Sequence, residues 1–96
     1  MRYFHRTSLG IDDALRAADA FFKTRLETVS SDAHERAYGG TIGRLTVHVR
    51  ADGGHYTLLT VTTDQVGESE LDKQAKRFLG TIHTKVHTDH ALRGAY

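Results

Sequence analysis

The chain has no cysteine among its 96 residues. That excludes disulfides, thiolate nucleophiles, iron–sulfur clusters and cysteine-type zinc sites. Proline is also absent, so glycine, serine and Asx residues must mark the turns. No stretch approaches the roughly 20 apolar residues of a membrane span. The opening Met1-Arg2-Tyr3-Phe4-His5-Arg6 has no apolar run and reads as no secretory leader. The expectation is a cytoplasmic protein with no membrane attachment.

An excess of one charge is missing too. Thirteen Lys and Arg face twelve Asp and Glu, for a formal net charge of +1. A dedicated nucleic-acid binder usually shows a basic excess or a clustered basic patch, so composition disfavours a nucleic-acid partner. Catalytic motifs are not found: the chain has no GxSxG elbow, no GxGxxG, no GxxxxGK[ST] and no HExxH. Gly39-Gly40 and Gly53-Gly54 are not followed by helical patterns and read as turns. The eight aromatic residues form no RNP-like stacking motif on a strand. The balance is against an enzyme.

What is present is an ordinary globular composition, 39% hydrophobic and 26% charged, with enough chain for one domain spanning residues 1–96. Residues 2–9 alternate, with Tyr3, His5, Thr7 and Leu9 on one face and Arg2, Phe4, Arg6 and Ser8 on the other. This is a strand whose first set faces the core. Residues 11–25 place Ile11, Ala14, Leu15, Ala18, Phe21, Phe22 and Leu26 on one helical stripe. Asp12 and Asp13 in the first turn, and Lys23 and Arg25 in the last, suit the helix dipole. Two short strands are expected over 26–30 and 34–38.

Residues 42–63 predict a hairpin. Leu45, Val47 and Val49 alternate with Arg44, Thr46, His48 and Arg50, and a Thr/Leu/Val run follows Asp52-Gly53-Gly54. A three-residue loop pairs Val47 with Leu59 and Leu45 with Val61, which gathers the aliphatic side chains on one face. Residues 69–90 predict a second helix with Leu71, Ala75, Phe78, Leu79, Ile82 and Val86 buried. Ser69 and Asp72 resemble a capping box, and Asp72 is paired with Lys76 on the surface. The result is an α+β fold: an antiparallel sheet in the order β-α-β-β-β(-β)-α, with two helices packed on one face.

Two groups of residues are candidates for chemistry. His83, His87 and His90 are spaced by four and three, which puts them on one side of a helix. Neutral imidazoles at that spacing can hold a divalent ion such as zinc, although a solvated flank at a helix C-terminus is the stronger reading. Tyr3 and His5, if they face the helices, line any cavity between sheet and helix and so are candidate ligand-binding residues. No other cofactor is implied.

The first strand, Tyr3-Phe4-His5-Arg6-Thr7-Ser8-Leu9, runs directly into the helix from Ile11. A glycine-punctuated meander follows, and the chain closes with Leu71-Asp72-Lys73-Gln74-Ala75-Lys76-Arg77-Phe78-Leu79. This order resembles, in reduced form, the START-like helix-grip superfamily of polyketide cyclases and related lipid-binding proteins. The resemblance implies a pocket between the sheet and the C-terminal helix for a small apolar ligand. The order is also similar to that of the ribosome hibernation-promoting factor family, which implies an rRNA-binding surface. The leading expectation is a non-enzymatic module that holds a small apolar ligand or a protein partner, with a homodimer as one form. A ribosome- or RNA-associated role, and a histidine-based metal- or pH-responsive role, are the alternatives.

Overall fold

A computed structural model describes the backbone of residues 1–94 and side chains as far as Val86. The elements in chain order are β1 (Arg2–Thr7), α1 (Ile11–Phe22), β2 (Glu27–Ser31), β3 (Glu35–Gly40), β4 (Gly43–Ala51), β5 (Thr57–Thr63) and α2 (Glu70–Gly94). All strand pairs are antiparallel, and the sheet order is β1-β5-β4-β3-β2. The α+β architecture and the element order therefore match the sequence expectation, with the optional extra strand present.

Period-two patterning fixes which side of the sheet each residue faces. Leu45, Val47, Val49, Leu59, Val61 and Tyr38 turn to the helices and are fully buried. Helix α1 answers with Ala14, Leu15, Ala18 and Phe22, and α2 with Leu71, Ala75, Phe78 and Ile82. Helix α1 covers β3 and β4, while α2 lies across β1, β5 and β4. At the junction of the helices, the Phe22 ring stands 5.1 Å from both Phe78 and Tyr38, centre to centre. Such a core is filled by side chains rather than hollow. No described helix is long and apolar enough to cross a membrane.

Helix α1 is three residues shorter than its periodicity suggests. The Arg25 and Leu26 amides both donate to the Phe22 carbonyl, at 2.9 and 2.7 Å. This tightens the chain and folds Leu26 back into the core, so the apolar spacing outlasts the helix.

The β4–β5 register also differs from the expected one. Val47 pairs with Val61, Val49 with Leu59 and Leu45 with Thr63. The loop is three residues long, as expected, but it is Gly53-Gly54-His55. It is closed by the Asp52 amide on the Tyr56 carbonyl at 2.9 Å and the Tyr56 amide on the Gly53 carbonyl at 3.1 Å. Moving the loop by one residue moves the register by two. A two-residue slip leaves every side chain on its own face, so the apolar pattern cannot see it. The backbone decides instead, because Gly53 and Gly54 both take positive φ, +72° and +53°.

Glycine is required for a different reason at Gly43, where β4 begins after Thr41 and Ile42. Its φ is +129°, and a Cβ there would lie 2.6 Å from Asp64 Oδ1 and 3.0 Å from Leu71 Cδ2.

Candidate functional site

Two polar seams and one open sheet face are the places where this fold can do chemistry. The first seam runs between β1 and α2. Asp72 lies in the first turn of α2 and is fully buried, yet it accepts three hydroxyl hydrogen bonds. Ser69 donates to Oδ2 at 2.5 Å, and Thr63 and Tyr3 donate to Oδ1 at 2.9 Å each. The Asp72 amide in turn donates to Ser69 Oγ at 3.1 Å. Half of the expected capping box is thus present. The other half is replaced, because the Asp72 carboxylate is occupied by the hydroxyls of β1, β5 and the cap.

Burial pushes the Asp72 carboxyl up, but the Ser69, Thr63 and Tyr3 hydroxyls together outweigh that and leave it below the usual carboxylate range. The Tyr3 hydroxyl is raised, first by burial and then by its bond to Asp72. The surface pair expected between Asp72 and Lys76 does not form. Lys76 Nζ turns outward to Glu68 Oε1 at 3.2 Å, because the carboxylate of Asp72 points into the core.

Further along the same seam, the rings of His5 and His83 stand 6.1 Å apart, edge to face. Burial, and then the nearby His83, hold His5 below the ordinary histidine value. Tyr3 and His5 do face the helices, as expected, and both are half-buried. Four hollows lined by other described residues open at the surface. One, about 730 Å³, lies over Phe21, Gly80 and Lys85, and another of about 570 Å³ lies by Leu26 and Gly40. His83 is exposed on α2. The side chains of His87 and His90 lie outside the described residues. No group of three metal-ligating side chains occurs among the described residues.

The second seam joins α1 to β3. The Tyr38 hydroxyl donates to Asp19 Oδ1 at 2.7 Å, and Arg36 Nε lies 3.3 Å from Asp19 Oδ2. Burial, and then Asp19, push the Tyr38 hydroxyl far above its ordinary range. This tie fastens the sheet side of α1 to β3.

The outer face of the sheet, away from both helices, is a different surface. Cross-strand pairing sets it out in three rows. Arg2, Thr62, Thr46 and Ala37 form one row. Phe4, Thr60, His48 and Glu35 form the next, and Arg6, Leu58 and Arg50 the third. Arg44 extends the first end along β4. Arg2, Arg6, Arg44 and Arg50 are all exposed, and Phe4 between them is 62% exposed. Arg6 stacks on the Tyr56 ring at 4.1 Å and pairs with Asp52 at 3.3 Å.

Arg2, Arg44 and Arg50 form no ion pair among the described residues. The acids near this face are few. Glu35 sits 3.7 Å from His48, Glu27 lies on the far edge strand, and the Asp64 carboxylate accepts the Arg44 amide at 3.0 Å. That backbone bond, more than the Arg44 charge, lowers Asp64.

The helical layer carries both signs, with Asp12, Asp13, Glu70 and Asp72 beside Arg16 and Lys85, whereas four arginines share the sheet face. Lys73, Lys76 and Arg77 are on α2 and do not join them. In sequence this face shows only as the polar side of the strand alternation. The alternation that puts Arg2, Arg6, Arg44 and Arg50 on it was visible, but the adjacency of β1 to β5, which brings Phe4 beside the hairpin, was not. No protein-family model and no curated protein matches the chain.

Proposed function

We propose that the protein is a small binding module for a single-stranded nucleic-acid segment, recognised on the open face of its sheet. The observation that carries this reading is the gathering of Arg2, Arg6, Arg44 and Arg50 around exposed Phe4 on one face of the sheet. Phosphates take guanidinium hydrogen bonds bidentately. Bases have π-faces that stack on aromatic and guanidinium planes, whatever their identity. Arg6 on Tyr56 already displays that stacking. Thr46, Thr60 and Thr62 supply hydroxyl donors and acceptors between the charges. The open sheet presents its arginines and Phe4 in cross-strand rows, which suits an unpaired strand that can splay its bases onto them.

A small apolar ligand between sheet and α2 fits less well, because Leu59, Val61, Leu71 and Phe78 already fill that space. The protein acts in this reading as a binder rather than an enzyme.

The test is backbone NMR of the uniformly labelled chain with a mixed-sequence 12-nucleotide RNA. The expected result is a set of shifts confined to β1, β4, β5 and the Gly53–Gly54 loop. Shifts confined to the helices, or none at all, overturn the reading. So does an acidic peptide that moves the sheet-face resonances where RNA does not.

A further inference from the structure

The β1–α2 seam brings together two imidazoles from distant parts of the chain. His5 is on the helix-facing side of β1, two residues after Tyr3, and His83 is on α2, eleven residues after Asp72. Positions 72, 76, 79 and 83 are spaced by four, three and four, so they form one stripe along the helix. Tyr3 is fixed over the start of that stripe by its bond to Asp72. His5 is thereby delivered to His83 further along, with ring centres 6.1 Å apart and planes at 84°.

We propose that His5 and His83 form a binding site for one divalent transition-metal ion of the zinc class. The geometry is near what such an ion needs. Zinc–nitrogen bonds are about 2.0–2.1 Å, and with ~1.1 Å from nitrogen to ring centre, two imidazoles on one ion have centres about 5–6 Å apart. The 6.1 Å observed is slightly beyond that range, so a small turn of the rings is needed for both nitrogens to reach one ion. Crossed ring planes are compatible with two nitrogens converging on one point.

The ligand chemistry agrees. A metal needs the neutral imidazole, so binding strengthens as pH rises. This site differs from a purely helical histidine set, because one ligand comes from the sheet. An ion here clips the distal part of α2 to the edge strand. Water completes its coordination, which places the affinity below that of closed structural zinc sites.

The experiment uses chain purified without a histidine tag, stripped with a chelator and titrated calorimetrically with zinc chloride. The expected result is one ion per chain, with affinity falling at least tenfold in both His5→Gln and His83→Gln. His34→Gln and His55→Gln, on exposed parts of the chain, leave it unchanged. Imidazole nitrogen NMR of the unmodified chain gives a second readout that does not depend on any variant folding. Zinc is expected to move the His5 and His83 ring nitrogens together. Absence of binding, or zinc affinity indifferent to His5→Gln, overturns the proposal, as does zinc that leaves the His5 nitrogens unmoved.

Discussion

The Tyr3 hydroxyl donates to Asp72 Oδ1 at 2.9 Å, so the first strand is tied to the first turn of the last helix across 69 positions of sequence. Thr63 and Ser69 bond the same carboxylate. One buried anion therefore organises β1, β5 and the start of α2. A buried charge is tolerable only when its hydrogen-bonding capacity is met, and here three hydroxyls meet it.

This arrangement predicts a specific pH dependence for Asp72→Asn. Folding lowers the Asp72 carboxyl below its unfolded value. A group lowered by folding stabilises the fold while ionised. Its contribution is complete above the unfolded value of about 3.9 and disappears as pH falls through the lower folded value. Urea unfolding of both proteins checks this. The wild type is expected to be more stable at pH 7, and the gap to shrink steadily below about pH 4. Tyr3→Phe is expected to lower the melting temperature by several degrees at pH 7. A gap that does not change with pH contradicts the account.

The Asp19–Tyr38 tie predicts an asymmetry between its two ends. Tyr38 is fully buried, and Asp19→Ala strands its hydroxyl without an acceptor. That change is expected to cost about 1–3 kcal/mol. Tyr38→Phe removes the hydroxyl itself and leaves Asp19 with Arg36 and Lys23, so it is expected to cost less. Chemical denaturation of the two single variants decides the order, and the reverse order refutes the described role of Asp19.

The β4–β5 register can be tested covalently because the chain has no cysteine of its own. His48 and Thr60 are direct partners on the outer face. Direct partners are about 4.5–5.5 Å apart between Cα atoms, within disulfide range, whereas diagonal neighbours are about 7–8 Å apart. The double variant His48→Cys/Thr60→Cys is expected to oxidise readily to an intramolecular disulfide. His48→Cys/Leu58→Cys, the partner in the register shifted by two, is expected to stay reduced. Mass measurement after thiol alkylation reads the result.

These cases show how far the sequence alone reaches. Periodicity was enough for the α+β class, the buried stripes Ala14–Leu15–Ala18–Phe22 and Leu71–Ala75–Phe78–Ile82, and the outward aim of Phe4. It failed at the hairpin register, where a slip of two residues preserves the pattern and only the φ angles of Gly53 and Gly54 decide. It also misread Asp72. By spacing that residue is a surface partner of Lys76, and only the closure of β1 against β5 brings the Tyr3 and Thr63 hydroxyls to it. The candidate face was hidden for the same reason. Arg2 and Arg6 are about 40 residues from Arg44 and Arg50 in sequence, and they become neighbours only through long-range strand pairing.

The most direct test of the proposed function is the salt dependence of RNA affinity, measured by fluorescence anisotropy with a labelled 12-nucleotide single strand. For single strands the slope of log K against log salt is about −0.7 per phosphate neutralised, so four arginines predict about −3. Arg50→Gln is expected to make the slope shallower by about 0.7. Phe4→Ala is expected to weaken binding while leaving the slope alone, and Lys73→Gln with Arg77→Gln on α2 to change neither. Binding that is insensitive to salt, or that follows the α2 charges instead of Arg2, Arg6, Arg44 and Arg50, contradicts the account.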